Sequence, residues 1–396
     1  MDEGKRVSWV ELYLDLVFVL AVAQLAHLIV AEPEMQSVWK ALGLFFTLWW
    51  TWIGFAVLYN RQSADGTVPR LLFLLGSIPA GVAAVAIEPA AVGDSTVFAL
   101  SLAATRLVLA AAHAANTRLT DILRLRITRA CLTSAALFAV SCVVPEPFRY
   151  LLWLMAIGIE SGALLAEDRE AARRARRHHD FSALTTAEDP AERLDAHHFA
   201  ERFGLFLIIL IGEVVVEAGQ ASVDGHVATF GGWAALVAAM IVAGGLWWLY
   251  FDSAVEVNLR VLELSGGSPT MARAIFAVGH QLPAFALLIT AAGIGLLLEE
   301  DPPAIAAKLA AFGIALYLVG TGASSRGLRS RRVIAARILV LVATFALWRP
   351  EEPLGPHGYM WLLAVWVVGC AVLNTFLGRP TRAGLERILT ARRADA

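Results

Sequence analysis

Apolar stretches of about twenty residues recur twelve times along this chain, set apart by short polar or proline-bearing breaks. A bilayer core of about 30 Å is crossed by roughly 20 residues of helix. In hydrocarbon only helices or closed barrels satisfy their own backbone groups. The stretches lie near residues 9–30, 38–60, 70–88, 94–117, 125–144, 148–166, 199–220, 228–252, 271–298, 303–321, 333–349 and 358–378. They predict an all-α, polytopic integral membrane protein of about twelve transmembrane helices whose first partner is the lipid bilayer. The balance of residues agrees, with 58% hydrophobic and 17% charged and a mean hydropathy of +0.65, against roughly 45–50% apolar and 25% charged in soluble domains.

A net charge of −2, with charge confined to patches between apolar runs, excludes a nucleic-acid footprint and leaves no nucleic acid among the expected partners. Glu11 and Asp15 arrive too early for a cleavable leader, so the first run reads as a retained helix. Cys131, Cys142 and Cys370 sit in apolar stretches without metal-ligand spacing, which argues against a disulfide framework or a zinc site.

Basic residues give the topology, because Lys and Arg stay on the cytoplasmic side. Of 32 basic residues, only Lys40, Arg149, Lys308 and Arg349 fall outside connections that would be cytoplasmic, and Arg106 lies within a helix. This alternation predicts a multi-pass protein of the cytoplasmic, or cell inner, membrane with both termini in the cytoplasm. Pro145-Glu146-Pro147 and Pro350-Glu351-Glu352-Pro353 turn the fifth and sixth and the eleventh and twelfth helices into hairpins.

Internal resemblance divides the chain. Leu48-Trp49-Trp50-Thr51-Trp52 returns as Leu246-Trp247-Trp248-Leu249-Tyr250, and Asn60 as Asn258, both 198 residues on. Arg129 and Trp153 match Arg337 and Trp361 at an offset of 208, and Glu11-Leu12-Tyr13 aligns with Glu201-Arg202-Phe203 at 190. An offset that grows along the chain is what loop insertions produce. Two parallel six-helix repeats follow, related by an axis along the membrane normal. Residues 1–166 form the first half and 167–198 a polar cytoplasmic linker. Residues 199–396 form the second half, with a basic C-terminal tail. The linker carries Arg173, Arg174, Arg176 and Arg177, suited to anionic headgroups at about 1 kcal/mol each. Its paired histidines His178, His179, His197 and His198 read as solvent-exposed rather than as metal ligands.

Ionisable side chains within the spans are functional candidates by default, because each costs about 2.5–3.5 kcal/mol on insertion scales. Glu11 and Asp15 share one face of the first helix. They fit a cation or proton site, an anchor to a cytoplasmic-side arginine, or acids offsetting the helix dipole. Glu213 stands twelve residues into the seventh helix, about 18 Å along it, with Glu217 one turn further on the same face. Gly212 beside it is expected to allow close helix approach. Arg106 is the obvious salt-bridge partner for Glu213. Glu160 in the sixth helix and His280 in the ninth complete the set. In His280-Gln281-Leu282-Pro283 a mid-helix proline is expected to free carbonyls beside an imidazole able to relay protons. Asn60 and Asn258 read as hydrogen bonds between helices, and the tryptophan clusters as interfacial packing.

No phosphate loop, dinucleotide glycine pattern, nucleophile elbow or zinc-protease helix occurs at a credible position. The chain is therefore expected not to be an enzyme and to need no cofactor or metal.

The run Trp9 to Gln24, with Glu11-Leu12-Tyr13-Leu14-Asp15-Leu16-Val17-Phe18 at its core, resembles the bacterial low temperature requirement A family. The resemblance continues through Leu48-Trp49-Trp50-Thr51-Trp52, then Glu201-Arg202-Phe203-Gly204-Leu205-Phe206 with Gly212-Glu213, and then Gly245-Leu246-Trp247-Trp248-Leu249-Tyr250-Phe251-Asp252. It implies a polytopic inner-membrane protein and transfers no catalytic residue. A weaker similarity is to the two-repeat lysosomal potassium channels. That family has a small hydroxyl residue where this chain has Leu14, and an acid where it has Leu205.

The expectation is a secondary transporter or ion-coupled permease acting on protons, cations or a small solute. Its candidate site is built from Glu11, Asp15, Arg106, Glu160, Glu213, Glu217 and His280. A two-repeat cation channel and a non-transporting membrane sensor or assembly factor are the alternatives. Substrate, stoichiometry and whether the chain works alone or as a homo-oligomer stay open.

Overall fold

The computed structural model describes residues 7–61, 66–116, 121–178, 195–223, 229–252, 254–264, 268–322, 331–347 and 351–394. Among these the secondary structure is helical, with no strand. In chain order the helices are α1 (Trp9–Ala31), α2 (Met35–Arg61), α3 (Thr67–Val85), the short α4 (Ile87–Ala91), α5 (Thr96–Ala114), α6 (Asp121–Ser141) and α7 (Phe148–His178). There follow α8 (Ala196–Val223), α9 (Phe230–Phe251), α10 (Ala254–Leu264), α11 (Pro269–Ala272), a π-helical segment (Arg273–Val278), α12 (Gln281–Leu297), α13 (Ala306–Gly322), α14 (Arg331–Ala346) and α15 (Glu351–Ala394).

Among the described residues each apolar run read from the sequence is helical, ten of them on one helix each, the run near 70–88 divided between α3 and α4, and that near 271–298 between α11, the π-helical segment and α12. Seven stretches among the described residues are long and apolar enough to cross a membrane, and Ala306–Thr321 is a shorter apolar helix. The chain is an all-α polytopic membrane protein. Two helices run on past their apolar parts: α7 continues as far as His178, and α15 continues to Ala394. Residues 179–194 of the expected linker lie outside the described residues, as does Pro350 of the last hairpin. Within α15 a kink at Gly355, with φ 66°, separates a first turn from the span. That left-handed conformation favours glycine.

The chain divides into two compact units. One comprises Met1–Leu25, Lys40–Arg202 and Ser265–Ala277; the other comprises Ala26–Trp39, Phe203–Leu264 and Val278–Ala396.

Within the first unit α3 shows how a membrane inverts the usual sorting of side chains. Val68, Leu71, Leu75, Ile78, Val82 and Val85 are exposed, at alternating spacings of three and four. Gly76, Ser77, Ala80, Ala83 and Ala84 are buried with Phe73. Large apolar groups have nothing to escape from in lipid, so they face outward, while small residues let backbones approach and collect dispersion contacts.

In the second unit the same logic binds α12 to α13. A Cβ built at Gly293 would lie 2.4 Å from the Ala310 nitrogen, and one at Gly313 would lie 2.3 Å from Thr290 Oγ1 and 2.7 Å from its nitrogen. At Gly320 it would meet Pro283 at 2.5 Å.

Two sequence expectations are corrected here. Pro283 is not mid-helix: α12 starts at Gln281, with His280 at its N-cap position. Proline in a first turn lacks only a donor that has no intrahelical acceptor anyway, so it frees no carbonyl. The irregularity lies earlier, in the π-helical segment Arg273–Val278. Gly212 likewise has nothing within 4 Å of a built Cβ, whereas Gly295 is the glycine approached by Glu217.

Gly313→Val is expected to disrupt the α12–α13 contact by at least the roughly 1–3 kcal/mol of an overpacked core. Gly43→Ala, with nothing within 4 Å, is the neutral control. Thermal melting of the purified variants in detergent checks both, and a Gly313→Val protein melting like Gly43→Ala would refute the packing account.

Candidate functional site

The N-terminus of α1 is built as a capping box. Ser8 precedes the helix and Glu11 is its third residue, so the Glu11 side chain reaches back to accept from the Ser8 N–H (Oε1, 3.0 Å), while the Ser8 hydroxyl faces the Glu11 N–H at 3.5 Å. The Ser8 hydroxyl also meets the Tyr59 hydroxyl of α2. One turn on, Asp15 points the same way.

Opposite them stands the first part of α8, and its spacing is complementary. Asp195 caps this helix, accepting the His198 N–H at 3.0 Å. His198 and Arg202, four apart, share a face. Arg202 Nη1 donates to Glu11 Oε2 at 2.9 Å and Nη2 to Asp15 Oδ1 at 3.2 Å. His198 Nε2 lies 3.2 Å from Glu11 Oε1 and 3.1 Å from Oε2. All four side chains are fully buried. The two turns of acid on α1 thus meet two turns of donor on α8, like rungs.

Neighbours from α2 fix the roles. Trp52 Nε1 donates to Asp15 Oδ1 at 2.7 Å, and its ring lies 5.5 Å beneath the Arg202 guanidinium, a cation–π arrangement. Asn60 Oδ1 accepts the Asp195 N–H at 3.0 Å, and Asn60 Nδ2 donates to the Asp195 carbonyl at 3.1 Å. A backbone N–H can only donate and a carbonyl only accept, so the orientation of the Asn60 amide is settled. Its remaining N–H points at His198 Nδ1, 3.0 Å away. Nδ1 is therefore the lone-pair nitrogen, and Nε2 carries the proton that His198 gives to Glu11.

Each polar atom but two is matched. Asp15 Oδ2 and Arg202 Nε are buried without a hydrogen-bond partner. One guanidinium serves two carboxylates.

The other sequence candidates assemble elsewhere. In the same unit Arg106 Nε of α5 donates to Glu160 Oε1 of α7 at 3.1 Å, and the guanidinium lies 4.5 Å over the Phe138 ring. Arg106 is thus bonded to Glu160 and not to Glu213, because α5, α6 and α7 pack side by side.

In the second unit Glu213 is buried and Glu217, one turn on, half-buried. Neither makes a hydrogen bond or ion pair with another described residue. Glu217 Oε2 comes within 3.0 Å of a Cβ built at Gly295, so glycine there leaves room for the carboxylate against α12. His280 belongs to another group, its Nε2 2.7 Å from the Tyr250 hydroxyl, with the Phe203 ring edge-on at 5.1 Å.

Sequence reasoning missed Arg202 and His198, one counted as a topology arginine and the other as a solvent-exposed linker histidine. Both are fully buried. The available signals were Ser8-x-x-Glu11 as a capping box and the match of two four-residue spacings, Glu11/Asp15 with His198/Arg202. Asn60 does bond another element, as expected, and Trp52 adds a hydrogen bond to its packing.

Arg202→Met leaves two buried carboxylates with no cation, and loss of one partner from a buried pair costs about 3–5 kcal/mol. Adding Asp15→Asn removes one of those charges while keeping the acceptor for Trp52. The double variant is therefore expected to melt higher than Arg202→Met alone, read by thermal denaturation of the purified proteins. A double variant that melts lower would show that Arg202 does not hold these acids by charge.

A curated relative, an uncharacterized protein of Rhizobium meliloti (strain 1021), is 26% identical over 295 residues, covering 73% of this chain and 68% of its own length. No solved structure matches. The family model for the bacterial low temperature requirement A protein matches residues 6–379, which takes in both carboxylates of α1, the donors of α8 and the Glu213–Glu217 turn. The chain belongs to the bacterial low temperature requirement A protein family.

Proposed function

We propose that this chain is a secondary transporter or ion-coupled permease of the cytoplasmic membrane. In this reading both termini are cytoplasmic, and the chain is built as two parallel six-helix repeats. Glu213 and Glu217 are the carboxylates that take up and release a proton or a cation. The observation that carries this reading is their lack of any counter-charge among the described residues.

The acids of the first unit are committed to fixed donors: Glu11 and Asp15 to Arg202, and Glu160 to Arg106. A group already held by a guanidinium is poorly placed to exchange an ion. Two carboxyls one turn apart in a membrane-embedded helix, with no cationic side chain, are in the opposite situation. Each is costly to keep charged there, and like charges four residues apart repel, so an exchangeable proton or cation relieves both costs. The glycine at 295 keeps the space in front of Glu217 free of a side chain. Arg202 and its partners then act as an anchor between α1 and α8, distinct from the exchanging pair.

Proteoliposomes loaded with a pH-sensitive dye and challenged with sodium or potassium gradients test this. Saturable proton movement coupled to one of those cations is expected, at least tenfold reduced in Glu213→Gln and in Glu217→Gln with melting temperature unchanged or raised. Large unsaturating currents would favour a cation channel. Flux equal in wild type and both variants would remove these carboxyls from the mechanism, and no flux of either ion would turn the assignment toward a membrane sensor or assembly factor.

A further inference from the structure

A small cavity lies inside the first unit, of about 30 Å³, between α2, α5, α6 and α7. Most of its wall is apolar, formed by residues such as Gly54, Leu109 and Ala130, but polar groups line it too: Trp50 of α2, His113 of α5, Glu160 of α7 and the weakly polar Cys131 thiol of α6. The Trp50 indole N–H and His113 Nδ1 are both shielded and meet no partner among the described residues. His113 is 3% exposed. An orphaned polar atom in hydrocarbon surroundings costs several kcal/mol. Two residues with such atoms line one cavity together with Glu160, which marks the space as one that a ligand completes.

Size and chemistry narrow the ligand. About 10–15 Å³ suffices for a water molecule, which typically makes about three hydrogen bonds, so this space is of the size that holds water. A halide would meet the Glu160 carboxylate that lines the same wall. An alkali cation would meet the Trp50 N–H and, among the side chains that line the cavity, would find only the Glu160 carboxylate as an oxygen ligand. Water alone matches the mixture, because it accepts from an indole N–H and donates to a carboxylate and to an imidazole lone pair at once.

We propose that this cavity is the binding site of one ordered water that bridges Trp50 Nε1, the Glu160 carboxylate and His113 Nδ1. The bridge extends the Arg106–Glu160 ion pair, 3.1 Å from Nε to Oε1, into a hydrogen-bonded chain that runs from Arg106 to His113. Arg106 and His113 are seven residues apart on α5, two turns along one face, so the chain stitches α5 to α2 and α7 at two levels. It is independent of the Glu213–Glu217 pair and stands whether or not those acids exchange an ion.

Protein labelled with nitrogen-15 in its tryptophan and histidine rings, in lipid bilayers, is to be read by water-edited solid-state NMR. The Trp50 indole signal is identified by its loss in Trp50→Phe. Transfer of magnetisation from water to the Trp50 indole and to a His113 ring nitrogen is expected. In His113→Phe, which removes the acceptor and fills the space, transfer to Trp50 is expected to drop to the level of the lipid-facing indoles. Absence of transfer to Trp50 in the unmodified protein would overturn the proposal, since that measurement needs no variant to fold. Undiminished transfer in a folded His113→Phe protein would overturn the bridge to His113.

Discussion

One guanidinium, that of Arg202, holds the start of α1 against the start of α8. Charge buried in a membrane protein is stable only when its partners are fixed in place, because no bulk water arrives to replace a lost one. The partners here are fixed several times over. Glu11 is bound to its own helix by the capping box, Asp15 takes the Trp52 indole, and His198 is set by Asn60, which is itself pinned to the backbone of Asp195. Moving any member unseats a neighbour. This arrangement makes the junction rigid and specifies a single register of α1 against α8, since a slip of one residue would turn both acids away from the donors.

At α3 and between α12 and α13 the protein relies on shape rather than charge. With lipid as apolar as leucine, helices gain little from hiding hydrophobic side chains, and close approach takes over. Gly293, Gly313 and Gly320 bring α12 and α13 together at distances that admit no Cβ, while α3 turns its valines, leucines and isoleucine outward. The close contacts around α12 contrast with the Glu213–Glu217 turn of α8, where two carboxylates have no hydrogen-bond or ion-pair partner among the described residues.

Much of the fold was legible because length and hydropathy are local quantities. Ten of the twelve apolar runs each became one helix and two became a broken series of helical elements, and Glu11 with Asp15, like Glu213 with Glu217, emerged as same-face pairs from a spacing of four. The break near His280 was legible only in part. Proline drew attention to residue 283, yet the irregular backbone lies in Arg273–Val278, where no residue advertises it. Gly212 was read as a contact from its neighbour in sequence, although the glycine that meets a glutamate is Gly295, on another helix.

The sequence by itself determined that this chain spans a membrane as helices, which of its acids are costly there, and which of them share a face, since each follows from composition and the 3.6-residue repeat. It did not determine which partner each acid would take. Arg202 was one arginine among many near the ends of spans, His198 one of four in a polar segment, and Arg106 an apparent match for Glu213. Only tertiary packing chose Arg202 for Glu11 and Asp15, and Arg106 for Glu160. The reason is that a salt bridge depends on where two helices bring their faces, across nearly 190 residues for Asp15 and Arg202, and that is a property of the packed bundle rather than of any local stretch.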